Sequence, residues 1–424
     1  MPASGELAGA RPPGSELIEW AASRMPVLAE LRRRLEREKP LAGLRIGACL
    51  HVTPETAVLV RSLSAGGAEI ALAASNPLST SDAVASALND EGIATFAHRG
   101  DGTDAMRAHL DAVLDKRPNI TIDDGCDLVA RLHRDRRDRL DTVVAGTEDT
   151  TSGALRLRSL AASGALAYPV LAVSESVTRV LADNRHGTAQ STLEGVIRAT
   201  NTLLAGASVV VAGYGNCGKA IADCARGLGA HVVVTEVDPL RALAAVLDGY
   251  GVEAMEVACR HGDVFITATG NRDVIGPEHL AGMRDGAVVA NAGQFDVEVD
   301  LHGLEELSGG RRRRVRPMVD EYRLPADRRG AGGDRRILLL AEGRLVNLVA
   351  GEGSPPEVMD LAFAVQTLAC EWLWGHHDML SAGVHEMPRE IDTAVARIKL
   401  ETLGVALDRL SDPQRRYLAS WGRS

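Results

Sequence analysis

Residues 208–236 constrain the fold of this chain more than any other stretch. An apolar run, Ser208–Ala212, leads into Gly213-Tyr214-Gly215-Asn216-Cys217-Gly218; a helical pattern follows, then a second apolar run over 231–236. Read as strand, loop, helix and strand, each glycine has a task. Gly213 permits a tight turn, Gly215 lets the backbone approach a pyrophosphate, and Gly218 lets helix and strand pack closely. The helix N-terminus then faces the phosphates, with Asn216 and Cys217 beside them. Glu236 follows the loop by about 20 residues, where a carboxylate meets ribose hydroxyls. It would repel a 2′-phosphate, so the expected cofactor is NAD rather than NADP. Lys219 adjoins Gly218, but the spacing is not that of a P-loop, and no ATPase is read here.

The same alternation runs through most of the chain. Short apolar runs at Arg45–Leu50, 69–73, Ile120–Asp123, 142–145 and 170–173 alternate with helical stretches, and further runs cover Val264–Thr267 and Ala287–Asn291. This implies mostly parallel sheets with helices on both faces. At 424 residues the chain exceeds what one core usually serves. The expected class is α/β: two doubly wound Rossmann-like domains and a small C-terminal helical segment. Residues 17–38 read as one helix, with Ile18, Ala22, Met25 and Leu28 at helical spacing. The Gly- and Arg-rich stretch 308–336 reads as a solvated surface loop. The opening 1–16 has no apolar core of a signal peptide and reads as a disordered lead-in.

Composition removes several function classes. A net charge of -10 argues against a general nucleic-acid binder. No apolar stretch approaches the ~20 residues of a membrane span, so no membrane partner is expected and a cytoplasmic location is. The cysteines Cys49, Cys126, Cys217, Cys224, Cys259 and Cys370 contain no C-x-x-C pair, which fits reduced thiols and implies no metal site. Lysine is confined to Lys39, Lys116, Lys219 and Lys399, while arginine is abundant.

At this point the residues resemble a known family. The run VVVAGYGNCGKAIADCARGLGAHVVVTEVDPLRALAAVLDGY (209–250) is similar to the cofactor-domain signature of S-adenosylhomocysteine hydrolases. So are FDVEVD at 295–300, AEGRLVNL at 341–348 and CLHVTPETAVL at 49–59. The similarity runs from about Glu16 to about Leu418, and DNRHGTAQST at 183–192 resembles the shorter, tail-less subtype. The resemblance implies a substrate domain over 1–185 with a return segment near 352–385, an NAD domain over 186–351 and a helical segment over 386–424. It also implies hinges that close over an adenine nucleoside, and a homotetramer.

The family's chemistry, carried over by resemblance, oxidises the 3′-hydroxyl of the nucleoside, removes the acidified C4′ hydrogen and expels the 5′ group by β-elimination. Water then adds and the ketone is reduced. Thr53 and Glu55 would meet the base and His51 the leaving group. Asp124 would pair with His51 in proton transfer, and Asp183 and Asn184 would sit near the 3′-hydroxyl and C4′. Thr150, Thr151, Thr269, Asn291 and Asn347 match contacts on the NAD side.

Some positions depart from the family's pattern. Its catalytic lysine, four residues before Asp183, is Arg179, which keeps the charge but cannot act as a base. Its histidine before F-D-V-E is Gln294, which cannot exchange a proton near neutral pH. The histidine of its G-H-P stretch is Ser354. The glutamate facing the sugar hydroxyls is Asp149 and a nearby asparagine is Ser174, both shorter. One expectation is oxidation and elimination on another nucleoside, ending as dehydration of a ketohexose nucleoside to an exocyclic 4′,5′-alkene of the kind found in antibiotic pathways. The alternatives are an S-adenosylhomocysteine hydrolase that tolerates these changes, and a non-catalytic NAD-binding regulator. Retention of His51, Asp124 and Asp183 counts against the regulator.

Overall fold

The computed structural model describes residues 14–325 and 334–421. The expected lead-in lies outside the described residues, apart from 14–16, which fall at the start of a helix. The chain builds two α/β units. The first contains β1 (Arg45–Leu50), β2 (Glu69–Ala74), β3 (Ala94–Phe96), β4 (Ile120–Asp123), β5 (Ala145–Glu148) and β6 (Pro169–Ala172). The second contains β7 (Ser208–Ala212), β8 (His231–Thr235), β9 (Gly251–Val252), β10 (Val264–Thr267), β11 (Ala287–Asn291), β12 (Arg312–Arg316), β13 (Val319–Leu324) and β14 (Arg335–Leu340). A last strand, β15 (Gly383–His385), returns to the first sheet.

Strand order places the site. The first sheet runs β15-β6-β5-β4-β1-β2-β3, parallel throughout. Its order reverses between β1 and β4. The second runs β12-β13-β14-β11-β10-β7-β8-β9 and reverses between β7 and β10. Ligands of open α/β sheets bind outside the carboxyl ends of strands at such reversals. Here both reversals open onto one cleft.

Central strands are apolar because both faces are covered. Ala48, Leu50, Ile122 and Val210 are buried. The helix Pro356–His376 buries Phe363, Val365 and Leu373 in the first core, and Arg389–Thr402 adds Ile391 and Val395. Asp360, fully buried, accepts from the Val27 and Leu28 N–H groups at 3.1 and 2.9 Å and meets Lys399 Nζ at 3.2 Å.

Several expectations need correction. Residues 17–38 form two helices, Gly14–Ser23 and Pro26–Glu38, because Pro26 cannot continue the first and suits the first turn of the second. The strand expected at 142–145 is β5, pinned by its pairing of Ile120 with Ala145 and Asp123 with Glu148. Residues 308–336 are not simply a loop. They contribute β12, β13 and the start of β14, an antiparallel addition to the sheet. Three arginines of β12 are neutralised by carboxylates: Arg312 and Arg314 reach Asp320 at 2.9 and 2.6 Å, and Arg313 reaches Glu321 at 2.8 Å. Charge on an edge strand also discourages pairing with another chain. Among the described residues, no helix is long and apolar enough to cross a membrane.

Candidate active site

The cleft between the two sheets has a volume of about 560 Å³. It brings together His51, Thr53, Glu55, Asp124, Asp149, Thr150, Thr151, Ser174, Arg179, Asp183 and Asn184 from the first unit and its exit. Gly215, Asn216, Cys217, Thr269, Gln294, Asn347 and Ser354 face them. Gly213, Gly218, Glu236 and Asn291 do not line the cleft; they hold the loops that do.

The cofactor wall is organised by backbone. Gly213 adopts φ +94°, which favours glycine, and a Cβ on Gly218 would run into the Gly213 carbonyl. At Gly215 the position of a Cβ is open, with no atom nearer than 3.7 Å. Glu236 accepts from the N–H groups of Tyr214 at 2.7 Å, Val237 at 2.7 Å and Asp238 at 3.0 Å. Burial works to raise its pKa, but those donors outweigh it and hold the carboxyl below its usual range. Glu298 grips the neighbouring turn, accepting from Thr269 N and Oγ1 and from Gly270 N at 2.9, 2.7 and 2.8 Å. Asn347 Oδ1 is buried with no protein partner. Open space at Gly215, an ionised carboxylate after β8 and an orphaned acceptor together fit NAD.

Asn291 is better described as a hub than as a contact. Its Nδ2 donates to the carbonyls of Gly293, Phe295 and Gly343 at 3.1, 2.8 and 2.9 Å, and its Oδ1 accepts from Gly293 N at 2.7 Å. This leaves it no free donor for a ligand, while it fixes the turn that carries Gln294.

The opposite wall is organised by charge. After β1, His51 Nε2 lies 3.2 Å from Asp124 Oδ2, and Asp124 follows β4. Gln294 Nε2 donates to Asp124 Oδ1 at 2.9 Å. Burial, reinforced by the nearby Asp149 charge, pushes the Asp124 carboxyl up to about 7, while burial pulls His51 down to about 4. Beneath them Asp123 and Glu148 are buried together and both raised by desolvation. Glu148 Oε1 accepts from Gly125 N and Thr150 N, each at 2.9 Å, and Thr150 Oγ1 at 2.8 Å. Glu55, at the start of the helix Pro54–Ala65 that Thr53 caps, is raised by burial.

Arg179 occupies the centre of this wall, 8% exposed. Its Nη1 meets Asp149 Oδ1, and its Nη2 lies 3.4 Å from Asp183 Oδ2. Asp183 Oδ1 accepts from Ser354 Oγ at 2.7 Å. The two chain crossings between the units therefore touch at Asp183. Asp183 and Asn184 lie in Val180–Gly187, a stretch wound to π-helical width, which the apolar pattern does not signal. Ser174 Oγ is buried and unpartnered beside Asp149. Sequence reasoning also missed Ser75 and Ser79, which meet Asp124 and His51 at 3.3 and 2.7 Å. A β-strand followed by Ser-Asn-Pro-Leu-Ser-Thr was the available signal.

Two family models match the chain: S-adenosyl-L-homocysteine hydrolase over residues 9–146, and S-adenosyl-L-homocysteine hydrolase, NAD binding domain, over residues 184–353. An adenosylhomocysteinase of Aquifex aeolicus is 51% identical over 96% of each chain. One of Aeropyrum pernix is 52% identical, also over 96% of each. An S-inosyl-L-homocysteine hydrolase of Methanopyrus kandleri is 48% identical over 97% of this chain and 95% of its own.

Proposed function

The chain belongs to the S-adenosyl-L-homocysteine hydrolase family, and from that premise we propose that it is an NAD-dependent enzyme that eliminates the 5′ group of an adenine nucleoside and stops short of hydrolysis. When bound, NAD supplies a reversible oxidation of the sugar 3′-hydroxyl, which acidifies the C4′ hydrogen. Asp183 takes the C4′ proton, and its electron pair forms the C4′=C5′ bond. The C5′ leaving group departs with its own electron pair and a proton from the His51–Asp124 pair. With a hydroxyl as leaving group, and once the hydride taken from C3′ is returned there so that the ketone is again a hydroxyl, the net change would be loss of water, leaving an exocyclic alkene. Thr53 and Glu55 are assigned to the base, and Asp149 and Ser174 to the sugar. The Ser174 hydroxyl has no protein partner, so an additional polar substituent there, as on a ketohexose, would satisfy it.

The observation that carries this reading is the Arg179 clamp. Where the family resemblance expects a lysine that can exchange a proton, a guanidinium is locked between Asp149 and Asp183. It orients and neutralises but stays charged at all working pH. Gln294 beside Asp124 likewise transfers no proton. Neither side chain can transfer a proton, while Asp183 and the His51–Asp124 pair, the groups that the elimination uses, are assembled around them.

The second reading is hydrolysis of S-adenosylhomocysteine. The relatives' names support it more directly than they support dehydration, since sequences about half identical over nearly their whole length are named hydrolases. The Methanopyrus relative, at 48% identity, is named for a different nucleoside, so identity of this order accommodates a change of substrate. The test is a mass-spectrometric product assay of NAD-loaded protein given S-adenosylhomocysteine or an adenine ketohexose nucleoside. A nucleoside product lighter by one water, without release of homocysteine, is expected. Rapid formation of adenosine and homocysteine overturns the reading in favour of the hydrolase.

A further inference from the structure

We infer that Ser79, which no catalytic step above uses, is a positioning residue that fixes the tautomer of His51, so that His51 Nε2 and Asp124 Oδ2 share a single proton. The inference rests on the reading that this pair protonates the leaving group.

The turn after β2 is tied internally. Asn76 Oδ1 accepts from Leu78 N at 2.9 Å, and the Asn76 carbonyl accepts from both Ser79 Oγ and Thr80 Oγ1 at 3.0 Å. Ser79 and Asn76 are over nine-tenths buried and Thr80 is fully buried. A serine hydroxyl has one hydrogen to give. With that hydrogen on the Asn76 carbonyl, Ser79 Oγ can only accept from His51 Nδ1, 2.7 Å away. Nδ1 then carries the imidazole hydrogen, and Nε2 presents a lone pair to Asp124 Oδ2 at 3.2 Å. Two lone pairs at that distance repel unless a proton lies between them. Asp124 Oδ1 is already occupied by the Gln294 amide and Oδ2 has only a long contact from Ser75 Oγ, 3.3 Å. The shared proton is therefore the one this cluster can deliver. Were the Ser79 hydroxyl turned to His51 instead, Nε2–H would face an ionised Asp124 and the pair would hold one proton fewer.

In the elimination the shared proton moves to the departing oxygen as the C5′–O bond breaks. The bond's electrons stay on that oxygen, and Asp183 receives the C4′ proton. The direct test is nitrogen NMR of histidine-labelled, NAD-bound protein at pH 6, with the His51 signals identified by their loss in His51→Gln. Hydrogen on Nδ1 in the wild type, shifting to Nε2 in Ser79→Ala, is expected. Hydrogen on Nε2 in the wild type overturns the inference, whatever substrate the enzyme takes. In D2O, with S-adenosylhomocysteine or the adenine ketohexose nucleoside as probe, Ser79→Ala retains exchange at C4′. It slows loss of the 5′ group about 10- to 100-fold, and Ser79→Thr recovers most of the rate. Equal slowing of both steps shows a merely structural serine and overturns it. A wild type that eliminates from neither probe defeats the proposed reaction but leaves the nitrogen result standing.

Discussion

The two walls of the cleft solve the same problem, holding polar groups out of water, by different means. On the cofactor side, Glu236 and Glu298 each collect neutral N–H or O–H donors from the loops around them. On the opposite side, Asp149, Arg179, Asp183 and the His51–Asp124 pair are buried against one another. A wall built from backbone donors tolerates change in its neighbours. A wall built from interlocked charges does not, because removing one member strands the rest in a medium that solvates charge poorly. Chemistry belongs on the second wall, and the departures from the family pattern concentrate there.

The largest expected effect is at Asp183. An amide keeps the size of the carboxyl and accepts from Ser354, but it cannot take the C4′ proton. Asp183→Asn should lower kcat about a thousandfold with NAD affinity unchanged. Solvent-deuterium exchange at C4′ should fall with it. An exchange rate equal to wild type would assign the base elsewhere.

Next is Arg179→Met, which keeps volume and removes the charge between two carboxylates. Breaking one side of a buried ion pair costs about 3 kcal/mol, and a thermal melt of the apo protein should show it. Adding Asp149→Asn should return part of the loss, since one stranded charge is then gone. A melt unchanged by Arg179→Met would mean that solvent already reaches the clamp. The pH dependence has a definite sign on this wall. The Asp124 carboxyl, held at about 7 by burial, is a proton source below that value and not above it. Plotted against pH, kcat/KM for loss of the 5′ group should therefore fall as pH rises through about 7, and Asp124→Asn should abolish that limb along with most of the rate.

This contrast also explains what could be read in advance. The cofactor wall was legible because its signals are local: glycines at fixed offsets after an apolar run, then an acid at the end of the next strand. β1, β4, β7, β10 and β11 were placed by apolar runs alone. The charged wall was legible only as a set of residue types matched to a family pattern. Its geometry depends on contacts that no local window contains. Ser79 meets His51 across 28 positions, and Gln294 meets Asp124 across 170. The β12–β13 hairpin was hidden because its outward residues are arginines whose acidic partners lie on the neighbouring strand, so alternation of apolar and polar residues is absent. Asn291 was placed on the NAD side by family resemblance alone, and its three carbonyl partners, one of them 52 positions away, lie beyond any local window.

The cofactor wall should respond more mildly. Glu236→Ala removes the acceptor for three N–H groups, yet each of these can turn to water at the edge of the cleft. A loss of about tenfold in NAD affinity is expected, with the C4′ exchange rate at saturating NAD unchanged. If that exchange also collapses, the two walls are coupled through the glycine loop and the division between them fails.

The smallest effect comes from outside the cleft. Asp392, on the helix Arg389–Thr402, accepts from Ser176 Oγ at 2.6 Å, Thr178 N at 2.8 Å and Val177 N at 3.1 Å. Ser176 Oγ in turn accepts from Arg179 N at 3.3 Å. A carboxylate some 216 positions away in sequence thus caps the turn that launches Arg179 and Asp183. Asp392→Asn keeps one oxygen acceptor and loses the second together with the charge. The cost should be about 1 kcal/mol of stability. Because the cap touches only the charged wall, the rate should drop a few-fold while NAD affinity holds. If NAD affinity falls in step with the rate, the C-terminal helix steadies both units at once, and the charged wall is not the separately supported structure its contacts describe.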